Sequence, residues 1–216
     1  SGLPLARIAA NITIGIPLAK QMIPVRTSGN VCVKAPVFPF IKLRGLDPAP
    51  GPEMKSTGEV FGSHQDADVA YLKARLATEV PVASSGGVYL TVRDDDKTNL
   101  IPIAQQLHNL GFSLFATSGT ADILRSNNIP VDVVYRIRER MHPDALDLMR
   151  QGKISFIVNV PTISGGAVRD GNMMRRLAVE LNIPFVTTIR GANMEVAAIG
   201  AMKKGDMEPV RLQVNY

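Results

Sequence analysis

From residue 85 onward the chain alternates two textures so regularly that few architectures can hold it. "GVYLTV" (87–92), "FSLFAT" (112–117), "IPVDVVY" (129–135), "KISFIVNV" (153–160) and "IPFVTT" (183–188) read as strands that are apolar almost throughout. Between and after them, "KTNLIPIAQQLHNLG" (97–111), "TADILRSNN" (120–128), "PDALDLMRQG" (143–152), "NMMRRLAVELN" (172–182) and "ANMEVAAIGAMKKG" (192–205) place apolar residues at helical spacing. The first of these is closed by Gly111. Strands that are apolar on both faces need helices on both, which predicts a doubly wound parallel α/β sheet.

Residues 1–66 have another character, rich in Pro and Gly, with short apolar runs such as "VCVKAPVFPFIKL" (31–43) broken by a loop. They predict a small α+β appendage that does not close a core by itself. Residues 67–79 put Val69, Leu72, Lys73 and Leu76 at helical spacing, so a linking helix joins the appendage to the sheet, with the linker running to residue 84. The division expected is therefore 1–66, 67–84 and 85–216. "GLPLAR" at Gly2 is echoed once in "GIPLAK" at Gly15, too short and too few for a repeat architecture.

In a sheet of this kind ligands bind beyond the carboxyl ends of the strands, at the loops after Val92, Thr117, Tyr135, Val160 and Thr188. The loop at Thr117 reads "TSGT". Thr117, Ser118 and Thr120 offer hydroxyls, Gly119 allows close backbone approach, and the following helix presents unpaired amides with a partial positive charge, a setting suited to phosphate or carboxylate. The same hydroxyls would also serve simply as a helix cap. Lys97, at the start of a helix on the same edge, favours the anion, because a cation there is unfavourable unless an anion answers it. Asp94, Asp95 and Asp96 are expected to cap that helix, and no metal site is predicted.

Lys and Arg total 24 against 19 for Asp and Glu, a net charge of +5 spread without a basic block; with aromatic residues at 5%, this suits small anions better than nucleic acid. No stretch approaches the apolar length that crosses a bilayer, and a single cysteine, Cys32, expected as a buried inert thiol, fits a reducing cytoplasm. His64 in a loop, His108 at a helix end and His142 before Pro143 lack zinc-site spacing, and no serine sits in a nucleophile elbow.

"GPEMKSTGEVFG" (51–62) after "VCVKAPVFPFIKLRGLDP" (31–48) resembles the end of the second ATP-grasp half in the carbamoyl-phosphate synthase large-subunit family. "AQQLHNLGFSLFATSGTADIL" and "MMRRLAVELNIPFVTT" are similar to that family's methylglyoxal synthase-like allosteric domain. The resemblance implies a parent enzyme of pyrimidine and arginine biosynthesis. It makes carbamoyl phosphate from bicarbonate, glutamine-derived ammonia and two ATP with Mg or Mn, beside further ATP-grasp domains and a glutaminase small subunit. "SGLPLARIAA" resembles a segment downstream of the nucleotide and metal ligands, so this stretch alone is expected to be inactive and to hold no cofactor.

The resemblance also implies an anionic effector, a nucleotide monophosphate or an acetylglutamate-like molecule. Thr117, Gly119 and Thr120 match the family's phosphate corner, Lys97 its phosphate-facing lysine, and Asn159 an effector-contacting asparagine. Arg136 stands where bacterial forms tend to have lysine. Pro161 replaces a hydroxyl residue, for which Thr162 would substitute, and "NVP" is similar to the acetylglutamate-regulated animal enzymes. Glu59 and Thr187 match two contacts of a second, ornithine site, although Phe185 and Val186 replace a more polar pair. Self-assembly is left open.

Two other readings compete. A methylglyoxal synthase-type lyase acting on dihydroxyacetone phosphate needs a carboxylate base, and alignment puts His142 at that position, with Asp144 facing elsewhere on a helix. An interaction module would use the hydroxyl corner only as a cap.

Overall fold

The structure is a computed structural model that describes residues 3–21, 23, 29–38, 48, 54–161, 166–205 and 209, with only the backbone of 166 and 167. The appendage contributes helix α1 (Leu5–Thr13) and strands β1 (Val31–Val37) and β2 (Gly58–His64). The two strands pair antiparallel, Val31 opposite His64 and Val37 opposite Gly58. Helix α2 (Ala67–Leu76) follows, its first turn capped by the Asp66 carboxylate, which accepts from the amides of Asp68 and Val69 at 2.8 and 3.2 Å.

The second part runs β3 (Gly87–Thr91), α3 (Lys97–Asn109), β4 (Ser113–Ala116), α4 (Ser118–Ser126), β5 (Asp132–Val133) and α5 (Ala145–Arg150). It ends with β6 (Ile154–Asn159), α6 (Gly166–Glu180), β7 (Phe185–Val186) and α7 (Ile189–Lys204). The five strands form one parallel sheet in the order β5-β4-β3-β6-β7. One face packs Leu100, Ile103, Leu107, Leu124, Val196 and Ile199 from α3, α4 and α7 against Val88, Leu90 and Val158. The other packs Leu146, Leu148, Met149, Met174 and Ala178 from α5 and α6 against Tyr89 and Ile157. This is the doubly wound α/β sheet that the alternation predicts.

The interior of each element agrees with the pattern and the ends differ. Helix α3 stops at Asn109 because Gly111, at φ +86°, takes the left-handed turn that an L side chain resists. Helix α6 starts at Gly166, earlier than its apolar spacing indicates. The run 129–135 is a strand only at Asp132–Val133; Ile129, Val131 and Val134 are buried by packing, and Tyr135 makes an isolated bridge to Asp144 instead.

In α2 the buried residues are Val69, Ala70, Leu72 and Ala74, whereas Leu76 is exposed, because this helix meets β1 and β2 on one side and α7 on another. Cys32 is exposed rather than buried: α2 covers one face of the two-stranded sheet, and Cys32 and its partner Ser63 fall on the other. No helix among the described residues is long and apolar enough to cross a membrane.

Candidate functional site

Counting outward from β3, the chain visits β4 and β5 on one side and then β6 and β7 on the other, so the winding reverses between β3 and β6. At such a reversal the outgoing loops part and leave a crevice at the carboxyl ends. A cavity of about 210 Å³ lies there, bordered by Thr91 and Val92 after β3, by Thr117, Gly119 and Thr120 after β4, and by Asn159, Val160 and Pro161 after β6. Lys97, Arg136 and Arg138 bring positive charge to its wall.

The anion corner is built from two helix starts. Thr117 is the extended N-cap residue of α4, and no side chain caps that helix, so its first amides are left for an external acceptor. A methyl group added to Gly119 would sit 3.2 Å from Lys97 Nζ, which places the ammonium directly over the glycine backbone. Lys97 is itself answered by Asp94 Oδ1 at 2.7 Å, and that contact holds the Asp94 carboxyl below its ordinary range. Asp96 accepts from Arg93 Nε at 2.6 Å and makes no cap bond. The expectation that the three aspartates cap α3 is thus corrected: Asp94 and Asp96 serve neighbouring cations, and Asp94–Asp96 form a 3₁₀ turn.

Asn159 is a buried polar side chain of the cavity wall, and Arg175 backs it from outside the lining. Asn159 is 4% exposed and its Oδ1 accepts from Arg175 Nη1 at 2.5 Å; Arg175, 2% exposed, also donates to Asn172 Oδ1. Gly171 makes room for this, since a methyl there would come within 2.8 Å of Arg175 Nη1. Sequence reasoning missed Arg175, and the available signal was its place between Met174 and Leu177 on the inward side of α6.

An acid also borders the cavity. Asp170 is in its wall, and burial raises its carboxyl above the ordinary value against the opposing pull of Arg138. Tyr89 stands beside it, its hydroxyl pushed well up by burial and then by the Asp170 charge. The cavity wall thus carries two carboxylates, Asp94 and Asp170.

The structure brings together Lys97, Thr117, Gly119, Thr120, Arg136 and Asn159 around one space. Ser118 is exposed and does not line it, and Thr162 lies outside the described residues. Glu59 pairs with Lys34 at 2.6 Å on the exposed side of β2; it does not itself line the cleft of about 400 Å³ that Thr187 borders, although its cross-strand neighbour Pro36 does.

His64 belongs to the end of β2, where its Nδ1 accepts from the Asp66 amide at 3.0 Å. His142 is outside the cavity. Its Nδ1 lies 2.5 Å from Asp147 Oδ2, and Asp144 and Asp147 exchange backbone-to-carboxylate bonds of 3.0 Å that cap α5. Asp147 raises the His142 value, while the Asp144 amide and then His142 lower that of Asp147.

Both carboxylate and imidazolium are charged only between those two values. Their mutual stabilisation is lost as pH falls through the lowered Asp147 value and as it rises through the raised His142 value. An NMR titration should therefore place the His142 midpoint above that of an ordinary histidine, and Asp147→Asn should bring it down; an unchanged midpoint would contradict the pairing.

With this geometry in view, comparison with known proteins gives a consistent result. The family described as "MGS-like domain" matches residues 99–187. The "Carbamoyl phosphate synthase large chain, C-terminal section" of Methanocaldococcus jannaschii is 42% identical over 218 residues, covering 95% of this chain and 35% of that protein. The carbamoyl phosphate synthase large chain of Methanosarcina barkeri is 40% identical over 206 residues, covering 95% of this chain and 51% of its own. That of Archaeoglobus fulgidus is 41% identical over 209 residues, covering 96% of this chain and 19% of its own. The chain spans between about a fifth and about half the length of these curated relatives.

Proposed function

We propose, from a chain that carries an MGS-like domain and aligns over 95% of its length with carbamoyl phosphate synthase large chains, that it is the regulatory carboxy-terminal region of such an enzyme and binds a small anionic effector. The observation that carries the reading is the corner itself: an ammonium held over a glycine backbone, beside an uncapped helix start and two threonines. Such a corner binds by charge-assisted donation to oxyanion oxygens. The effector is a nucleotide monophosphate or an acetylglutamate-like molecule, with Lys97, Thr117, Gly119 and Thr120 at its anionic head and Arg136 and Asn159 as further contacts.

The reading extends to a cytoplasmic parent that makes carbamoyl phosphate from glutamine, bicarbonate and ATP with Mg or Mn through ATP-grasp domains and a glutaminase subunit. On this reading the stretch described here senses rather than catalyses. An ornithine site would use Glu59 and Thr187, of which Thr187 and Glu59's cross-strand neighbour Pro36 border one cleft.

The test is calorimetric titration with nucleotide monophosphates, acetylglutamate, ornithine and inorganic phosphate, supported by thermal shift, since a ligand that binds only the native state raises Tm. Lys97→Ala should weaken the anionic ligand about tenfold or more, the loss of one charged hydrogen bond, and Thr117→Ala should weaken it less. Retained affinity in both variants sinks the reading. A lyase reading has one observation in its favour, the Asp170 carboxyl in the same cavity with its value raised by burial. Turnover of dihydroxyacetone phosphate that disappears in Asp170→Asn would decide for it.

A further inference from the structure

The ammonium that marks the anion corner is already engaged. Lys97 Nζ lies 2.7 Å from Asp94 Oδ1, the lysine side chain 17% and the aspartate 91% exposed. Asp94 belongs to the cavity wall as well, so its carboxylate stands at the mouth of the same space that an oxyanion would enter. Arg93, also in the cavity wall, is paired through its Nε with Asp96 at 2.6 Å.

We propose that Asp94 is a built-in competitor for this site: its carboxylate holds Lys97 until a small oxyanion displaces it, and the Asp94–Asp96 turn is the element that yields when the ligand arrives. The proposal rests on the effector reading above and adds what sets the affinity of that site.

Competition has a thermodynamic signature. If the site binds only when the Lys97–Asp94 pair is open, the affinity of every anion that uses Lys97 is divided by one common factor, the inverse of the open fraction. For an ion pair with one exposed member that factor is about two to five. Were Asp94 to act only through its negative field, its penalty would instead grow with ligand charge, and the factor for a dianion would be the square of that for a monoanion.

The experiment is an NMR titration of the 216-residue chain and of its Asp94→Asn and Lys97→Ala variants with sodium sulfate and with sodium nitrate at matched ionic strength. The amides of Gly119 and Thr120 are followed. We expect Asp94→Asn to tighten both anions by the same factor of about two to five, and Lys97→Ala to weaken both. An unchanged or weakened affinity in Asp94→Asn, or a squared gain for sulfate, overturns the competitor while leaving the effector reading intact if Lys97→Ala still loses sulfate. If neither anion moves those amides in any of the three proteins, the effector reading falls and the competitor falls with it.

Discussion

Replacing Glu195 by alanine should cost about 3–5 kcal/mol of folding stability, the loss expected when one member of a buried ion pair is removed. Glu195 is 1% exposed in α7, and it faces Arg75 of α2 across the join between the appendage and the sheet. The pairing is two-pronged: Arg75 Nε donates to Oε2 at 2.8 Å and Nη2 to Oε1 at 3.0 Å, while the Tyr71 hydroxyl donates to Oε2 at 3.0 Å. Burial works against the Arg75 charge, and the Glu195 carboxylate more than offsets it. Burial, and then Glu195, pushes the Tyr71 hydroxyl well above its ordinary value.

Alanine leaves the Arg75 guanidinium, whose side chain is 13% exposed, without its counter-charge. The double variant Arg75→Met with Glu195→Leu removes both charges and should return to within about 1 kcal/mol of the parent protein, because apolar replacement of a whole buried pair is often neutral. Urea unfolding of the three proteins measures both numbers. A single variant that loses under 1 kcal/mol would mean that water already reaches the guanidinium.

Gly62→Ala should be the second severe change, at about 3 kcal/mol, the upper end for overpacking. A methyl there would come within 2.2 Å of the Ala70 carbonyl oxygen and 2.6 Å of the Ala74 amide nitrogen. Both are backbone atoms of α2, so no rotamer change relieves the clash, and β2 must lift from the helix. Hydrogen exchange should then quicken in β1 and β2 and stay unchanged in β3 and β6. Gly58→Ala in the same strand is the control, with nothing within 4 Å of the added methyl.

The parallel sheet and most of the anion corner are legible in the sequence, because strand runs apolar on both faces and a hydroxyl-glycine turn leave few alternatives. What the sequence hides has physical causes. Asp94 and Asp96 look like caps because aspartate before a helix usually is one; Arg93 and Lys97, which flank the three aspartates, outcompete the amides as partners. Asp170 and Arg175 sit in "VRDGNMMRRL", where charge reads as a solvated helix face. Only the return of α6 over the end of β6 turns that charge toward Asn159. Glu195 is similarly masked, a single acid on an otherwise apolar face whose partner is 120 residues away. Likewise Ile129 and Val131 suggest a long strand because burial, which they achieve by packing, produces the same apolar spacing as a ladder does.

The lengths of the outer strands decide where another strand could join this protein. The borders of the large sheet, β5 and β7, are two residues long, too little ladder to template an incoming chain. Among the described residues, β1 and β2 pair only with each other and each is seven residues long. Among the described residues the longer strands with an open side are thus β1 and β2, and neither lines the crevice where the anion corner lies.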